Sequence, residues 1–205
     1  MSRAYSVKNV LDAKFKVLPF EGKWKAAIGC PEFCGTWFVF GPIKNGKTSA
    51  TLQLAKYLAG FGKVLYNSVE EGLSLSIQEA YKREGMIDVS CRVVLVGKES
   101  VDDIINRLEK HRSPDVVVID TIQFWELSFK DYKRLKLQFP NKLFIYISHV
   151  EGSQPDGLTA RKIWRDANVA LRIEGFKVFP VGRYGGGEPF TINERLANEY
   201  WGLST

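Results

Sequence analysis

The octamer Gly41-Pro42-Ile43-Lys44-Asn45-Gly46-Lys47-Thr48 constrains this chain more than any other stretch. An apolar run, Thr36-Trp37-Phe38-Val39-Phe40, precedes it, and from Ser49 to Ala59 the apolar residues recur at helical spacing. Strand, glycine loop and helix in that order make an anion cradle. The glycines let the backbone wrap, and the loop N–H groups and the helix N-terminus converge on a phosphate. In the pattern G-x-x-x-x-G-K-[ST] the lysine reaches the β- and γ-phosphates and the hydroxyl reaches Mg²⁺. Lys47 and Thr48 hold those positions, and Gly41 through Ser49 form the expected binding set for a nucleoside triphosphate.

Three further strand ends carry polar residues where open α/β sheets bind their ligands. Lys63 to Val69 reads as a buried strand ending on Glu70-Glu71-Gly72, and either Glu70 or Glu71 can polarise an attacking water. The plainer reading is a solvated strand end, or carboxylates favoured at a helix N-terminus. Asp115 to Thr121 (D-V-V-V-I-D-T) is a strand buried on both faces with Asp120 at its tip, a second candidate metal ligand beside Thr48. Leu143 to Ser148 is another buried strand, and it ends on His149, either a structural histidine, as lone histidines more often are, or, at this strand end, a sensor of the γ-phosphate.

Between these strands the spacing predicts helices over 73–84, from Ser100 and over 128–139, with a strand over 89–96. In the 128–139 helix Phe129, Tyr132, Leu135 and Leu137 are expected to face inward. Residues 151–157 read as an irregular loop, 159–167 as a helix, and 169–173, 178–181 and 189–192 as short strands. The fold class expected is therefore α/β: three layers around a mostly parallel sheet, with an antiparallel extension at its C-terminal end. Residues 1–34 are read as a basic segment packing on the core, and 35–205 as the catalytic domain.

Size and charge set the remaining limits. No apolar run approaches the roughly 20 residues of a membrane span, and the N-terminus, with Ser2, Arg3, Ser6 and Lys8, lacks a signal-peptide core. A cytoplasmic protein without membrane association is expected. Cys30 and Cys34 have no second pair or nearby histidine to complete a zinc site, so free thiols are expected. The net charge of +6 fits either attraction to nucleic acid or a solvated basic face.

Taken together these motifs resemble the RecA-like P-loop ATPases, the compact ATPase cores of RecA, bacterial RadA, KaiC and DnaB-type helicases. The resemblance covers roughly residues 33–192 and rests on GPIKNGKT, Y-N-S-V-E-E, V-V-V-I-D-T, I-S-H-V and the late R-Y-G, in that order. It implies ATP and Mg²⁺ as ligands, Glu70 as the water-activating glutamate with Glu71 close behind, Asp120 as the metal aspartate and His149 as the polar sensor. It also implies that Arg183 acts on a neighbouring subunit's nucleotide, within a ring or filament. Val181 replaces the lysine that usually accompanies that arginine. The segment after Asp120 is short, and no zinc finger or helicase partner domain is recognisable, so the likeness is to stand-alone ATPases of phages and mobile elements. Single- or double-stranded DNA is the implied partner, in recombination, replication or repair. The alternative is an ATP-dependent assembly switch acting on a protein partner.

Overall fold

A computed structural model describes residues 4–203; Ser2 and Arg3 of the polar N-terminus lie outside the described residues. The core is one eight-stranded sheet. In chain order its strands are β1 (Gly35–Phe40), β2 (Val64–Ser68), β3 (Val93–Gly97), β4 (Val116–Asp120), β5 (Leu143–Ser148), β8 (Val169–Glu174), β9 (Lys177–Gly182) and β10 (Phe190–Thr191). A separate two-stranded hairpin is formed by β6 (Val150–Glu151) and β7 (Gln154–Pro155). Across the sheet the order is β10-β9-β8-β1-β5-β4-β2-β3. The six strands from β8 to β3 are parallel, and β9 and β10 add antiparallel pairs at one edge.

The central strands are apolar along their whole length because both faces are covered. In β1, Trp37 and Val39 enter one core while Phe38 and Phe40 enter the other. Val116 and Val118 of β4 divide from Val117 and Ile119 in the same way. This is the period-two consequence of the pleat. On the first face lie α2 (Gly22–Ile28) and α3 (Lys47–Leu58), with Trp24, Leu52, Leu54 and Leu58 buried. The second face is covered by α5 (Val101–Leu108), α6 (Phe129–Gln138) and α7 (Leu158–Asp166), through Ile104, Ile105, Leu135 and Ile163. Three layers result.

Several sequence expectations need correction. Leu137 is 80% exposed: it follows Leu135 and Lys136 around the helix onto the outer side, so α6 buries Tyr132 and Leu135 instead. The strand expected over 89–96 starts later, at Val93, and runs to Gly97. Residues Met86–Val89 make a 3-10 turn, and pairing with β2 begins only at Val93. The loop at 151–157 contains the β6–β7 hairpin, turned at Gly152 with φ of +62°. Two helices were unforeseen, α1 (Val7–Leu11) and α8 (Glu194–Trp201), while α4 (Leu75–Arg83) falls within the predicted 73–84. The N-terminal segment divides at Leu18. From there Leu18, Phe20, Trp24, Ala27 and Ile28 pack into the core, whereas α1 buries no side chain. Trp164 packs against Phe40, with ring centroids 5.7 Å apart, as a core aromatic. Cys30, Cys34 and Cys91 are free thiols, and burial beside Glu32 pushes Cys34 up to about 11.

Candidate active site

The phosphate loop joins β1 to α3, and its sequence is dictated by what crowds it. A Cβ on Gly41 would stand 1.9 Å from the Ile173 carbonyl oxygen of β8, so glycine is required. Gly46 adopts φ of +94°, and a Cβ there would meet the Phe176 ring at 2.8 Å. The two-residue turn between β8 and β9, Gly175-Phe176, has φ of +52° and +59°. Hairpin turns of this kind need positive φ at both positions, which costs a bulky side chain about 1–2 kcal/mol. Contacts to the loop offset that cost. The Gly175 N–H donates to Asn45 Oδ1 at 2.8 Å, and the Phe176 N–H donates to the Asn45 carbonyl at 3.2 Å. On its far side the turn is held by α8, where the Trp201 indole donates to the Gly175 carbonyl at 3.0 Å.

Lys47 is buried, and its ammonium donates to the loop carbonyls of Gly41 (2.9 Å) and Pro42 (2.7 Å). Burial lowers its pKa, against the raising pull of Asp120 and Glu70. The two carboxylates face it because of strand order. β5 lies between β1 and β4, and the carboxyl ends are level, with Phe40 beside Ser148 and Ser68 beside Asp120. The Val69 and Glu70 N–H groups both donate to the Asp120 carbonyl, at 2.7 and 3.0 Å, which fixes the glutamate next to the aspartate.

Asp120 accepts a hydrogen bond from the Tyr66 hydroxyl at 2.5 Å. Burial pushes its pKa up to about 6; the Tyr66 bond opposes this, Glu70 and Glu71 add to it, and Lys47 opposes it. The Asp120–Thr121 peptide is cis. Glu70 Oε2 lies 3.3 Å from His149 Nε2, and the Glu70 side chain is 35% exposed. Glu71 is engaged elsewhere, accepting from Ser74 at 3.3 Å and from Ser76. Gln123 ties the loop after Asp120 to the end of β5, donating to Ser148 Oγ at 2.7 Å and to the Asp156 carbonyl at 3.0 Å.

The phosphate loop and the strand-end carboxylates line one cavity of about 690 Å³. Lys47, Thr48, Glu70, Glu71, Asp120, Thr121 and His149 line it, together with Ser49, Arg83, Phe176, Asn193 and Arg195 among others. A larger open hollow of about 1010 Å³ includes Trp24, Lys56 and Arg92. It contains neither the phosphate loop nor the strand-end carboxylates, so the smaller cavity is the candidate site. Two atoms of that cavity's lining residues, Thr121 Oγ1 and His149 Nδ1, are buried without a hydrogen-bond partner among the described residues. A polar ligand suits them. The described residues hold no cluster of three or more His, Cys, Asp or Glu able to bind a metal. The hard oxygens of Thr48 and Asp120 suit Mg²⁺ of the kind whose other ligands come from nucleotide phosphates and water.

Arg183 lies elsewhere. Its N–H donates to the Asn168 carbonyl at 3.1 Å, and the Asn168 N–H donates to Thr36, at the amino end of β1. It is therefore at the opposite end of the sheet from the loop. The sequence reading missed Arg83, Phe176, Asn193 and Arg195. For Phe176 a signal existed in Glu174-Gly175-Phe176-Lys177, a glycine turn between two apolar runs. The others come from helix ends that no motif spacing connects to the loop.

No sequence-family profile matches the chain, and no curated protein sequence aligns with it. Solved structures do. The flagellar accessory protein FlaH from Methanocaldococcus jannaschii superposes with a TM-score of 0.59 at 16% identity, over 88% of this chain and 96% of that one. A KaiC-like protein from the hyperthermophilic archaeon Pyrococcus horikoshii gives 0.54 at 17% identity, over 75% and 79%. The ATPase domain of a helicase gives 0.53 at 16%, over 78% and 80%. All three are RecA-like P-loop ATPases. This chain has the RecA-like fold. The RecA-like sheet accounts for the inserted β5, which sets His149 between the loop strand and the aspartate strand.

Proposed function

We propose that this chain binds ATP with Mg²⁺ in the cavity and hydrolyses it, as a cytoplasmic ATPase working with DNA in recombination, replication or repair. One observation carries the reading: Lys47, Asp120 and the Glu70–His149 pair all line the same cavity, at the carboxyl ends of parallel strands. Glu70, oriented by His149, accepts a proton from the attacking water and aligns it in line with the γ-phosphate. Glu71, held by Ser74 and Ser76, is less free to do so. Lys47 exchanges its two loop carbonyls for phosphate oxygens and offsets their charge. Thr48 and Asp120 would hold Mg²⁺, which supplies further charge neutralisation. Arg83 and Arg195 reach the cavity from the same chain. Arg183, at the far end of the sheet, acts only on a neighbour's nucleotide in a ring or filament.

The test is ATP turnover with and without single-stranded DNA, at low and moderate salt, with Lys47→Ala as the blank. Mg²⁺-dependent turnover that rises with DNA and vanishes in Lys47→Ala is expected. Equal turnover in Lys47→Ala would refute the site. A second reading, an ATP-dependent switch for a protein partner, is favoured by the exposed apolar side chains of α1, Val7, Val10 and Leu11. Turnover indifferent to DNA would select it.

A further inference from the structure

We infer that the outer face of α6 and α7 is a docking surface for the phosphate backbone of a nucleic acid. The two helices carry seven basic and two acidic residues, a net charge of +5 in a chain whose total is +6. They pack side by side, which brings part of this charge to a shared seam, while Arg134 turns towards Asp102 of α5. Three of the seven cations are already paired: Lys136 with Asp166 at 2.6 Å, Arg134 with Asp102 at 2.8 Å, and Arg161 with Glu151 at 3.7 Å. Lys130, Lys133, Lys162 and Arg165 are exposed and have no ion-pair partner among the described residues.

The four are grouped. The Lys133 and Lys162 ammonium groups, one from each helix, lie 4.9 and 5.2 Å from the centre of the same Phe129 ring. Each lysine has a second unpaired cation three residues away, Lys130 or Arg165, about 4.5 Å along its helix. The ring attracts both ammonium groups, and an anion lying across the seam would offset their mutual repulsion. A nucleic-acid strand, with a phosphate about every 3.4 Å along a duplex, supplies such anions in a row. The face suits a protein partner poorly, because protein interfaces deplete lysine and centre on exposed apolar groups. Here lysine is enriched, the central aromatic sits half-buried beneath two charges, and Leu137, one turn beyond Lys133, is the one large exposed apolar side chain of α6.

The face is also joined to the active site. α6 follows the loop that leaves Asp120, and α7 follows the β6–β7 hairpin that leaves His149. Displacement of either helix would therefore be felt at a cavity-lining side chain. The inference rests on the nucleic-acid half of the proposed function and is independent of hydrolysis.

The experiment uses fluorescence anisotropy with labelled single-stranded and duplex DNA of about 30 nucleotides, without ATP, from about 50 to about 200 mM salt. Four neutralised phosphates predict a slope of log K against log salt of about −3 to −4. The double reversal Lys133→Glu/Lys162→Glu should weaken binding at least about tenfold and flatten the slope by about 2. The control Lys8→Glu/Lys14→Glu changes net charge equally, away from this face, and should cost less than about threefold. Binding of a fluorescent ATP analogue, unchanged in both doubles, shows that each variant is folded. Equal losses in the two doubles, or no DNA binding by the unaltered protein, would overturn the inference. So would binding of polyglutamate, in place of DNA, that is lost in Lys133→Glu/Lys162→Glu. DNA binding of the expected kind in a protein that hydrolyses no ATP would leave this face standing and remove the ATPase reading.

Discussion

Replacing Asp120 by asparagine should stabilise the metal-free protein while abolishing its turnover. The carboxyl group has an unfolded value of 3.8 and is raised to about 6 in the folded chain, with burial as the main cause. A raised pKa means that the folded state binds the proton more tightly, so the favourable contribution is fully present below about pH 4 and is lost as pH climbs through about 6. Two pKa units correspond to about 3 kcal/mol against the ionised native form near pH 8, shrinking to about 0.5 kcal/mol near pH 4. Asparagine is never charged, but it accepts a weaker hydrogen bond from Tyr66 than a carboxylate does. That loss takes back about 1 kcal/mol. The expected net gain near pH 8 is about 2 kcal/mol, or roughly 4–8 °C in melting temperature for a chain of this size. The assay is thermal unfolding of both proteins in a chelator, at several values between pH 4 and 8, followed by ATPase measurement with Mg²⁺. An asparagine protein that melts below the unaltered one near pH 8, or a difference that does not grow with pH, would refute the argument.

The other predictions concern the loop and its neighbours. Glu70→Gln should keep nucleotide affinity and reduce kcat by about 10²–10⁴, whereas Glu71→Gln should change it less than about tenfold; single-turnover kinetics separates the two. Phe176→Asn should be tolerated or even favoured by its positive-φ turn, yet weaken ATP binding because it uncovers Gly46; calorimetry with ATP and a melting curve read both effects. Arg183→Ala should leave ATP binding by isolated protein unaltered and reduce turnover by about 10³ under assembling conditions. An unchanged assembled rate would remove Arg183 from the mechanism.

How far the sequence could be read depended on whether a residue's role is local. Phe38 to Phe40, Val116 to Ile119 and Phe144 to Ile147 are continuous apolar runs because their strands are covered on both faces, and each run is followed within three residues by one that lines the cavity: Ile43, Asp120 and His149. Local pattern and tertiary role coincide there. In α8 they do not. Leu196, Ala197, Tyr200 and Trp201 recur at helical spacing after the capping residue Asn193, yet this short segment follows glycine turns and reads as a tail. What makes it a helix is the seat it finds on the β8–β9 turn, a contact of long sequence separation. Leu137 shows the opposite failure. It belongs to an apolar set by residue type, but its angular position on α6 falls outside the buried stripe. Arg83 and Arg195 reach the cavity from helix ends that are remote in sequence, so no spacing rule could have joined them.

The clamp on the phosphate loop also sets an order in time. Lys47 leaves the ribosome long before Gly175, Phe176 and Trp201, which hold the loop from outside. Trp201 follows Lys47 by roughly 150 residues, so at about 5–20 residues per second the loop waits roughly 8–30 s for its full support. A nascent chain carries the nucleotide motif throughout that interval without the parts that fix its shape. On the proposed function, nucleotide capture would wait until nearly all of these residues had been made.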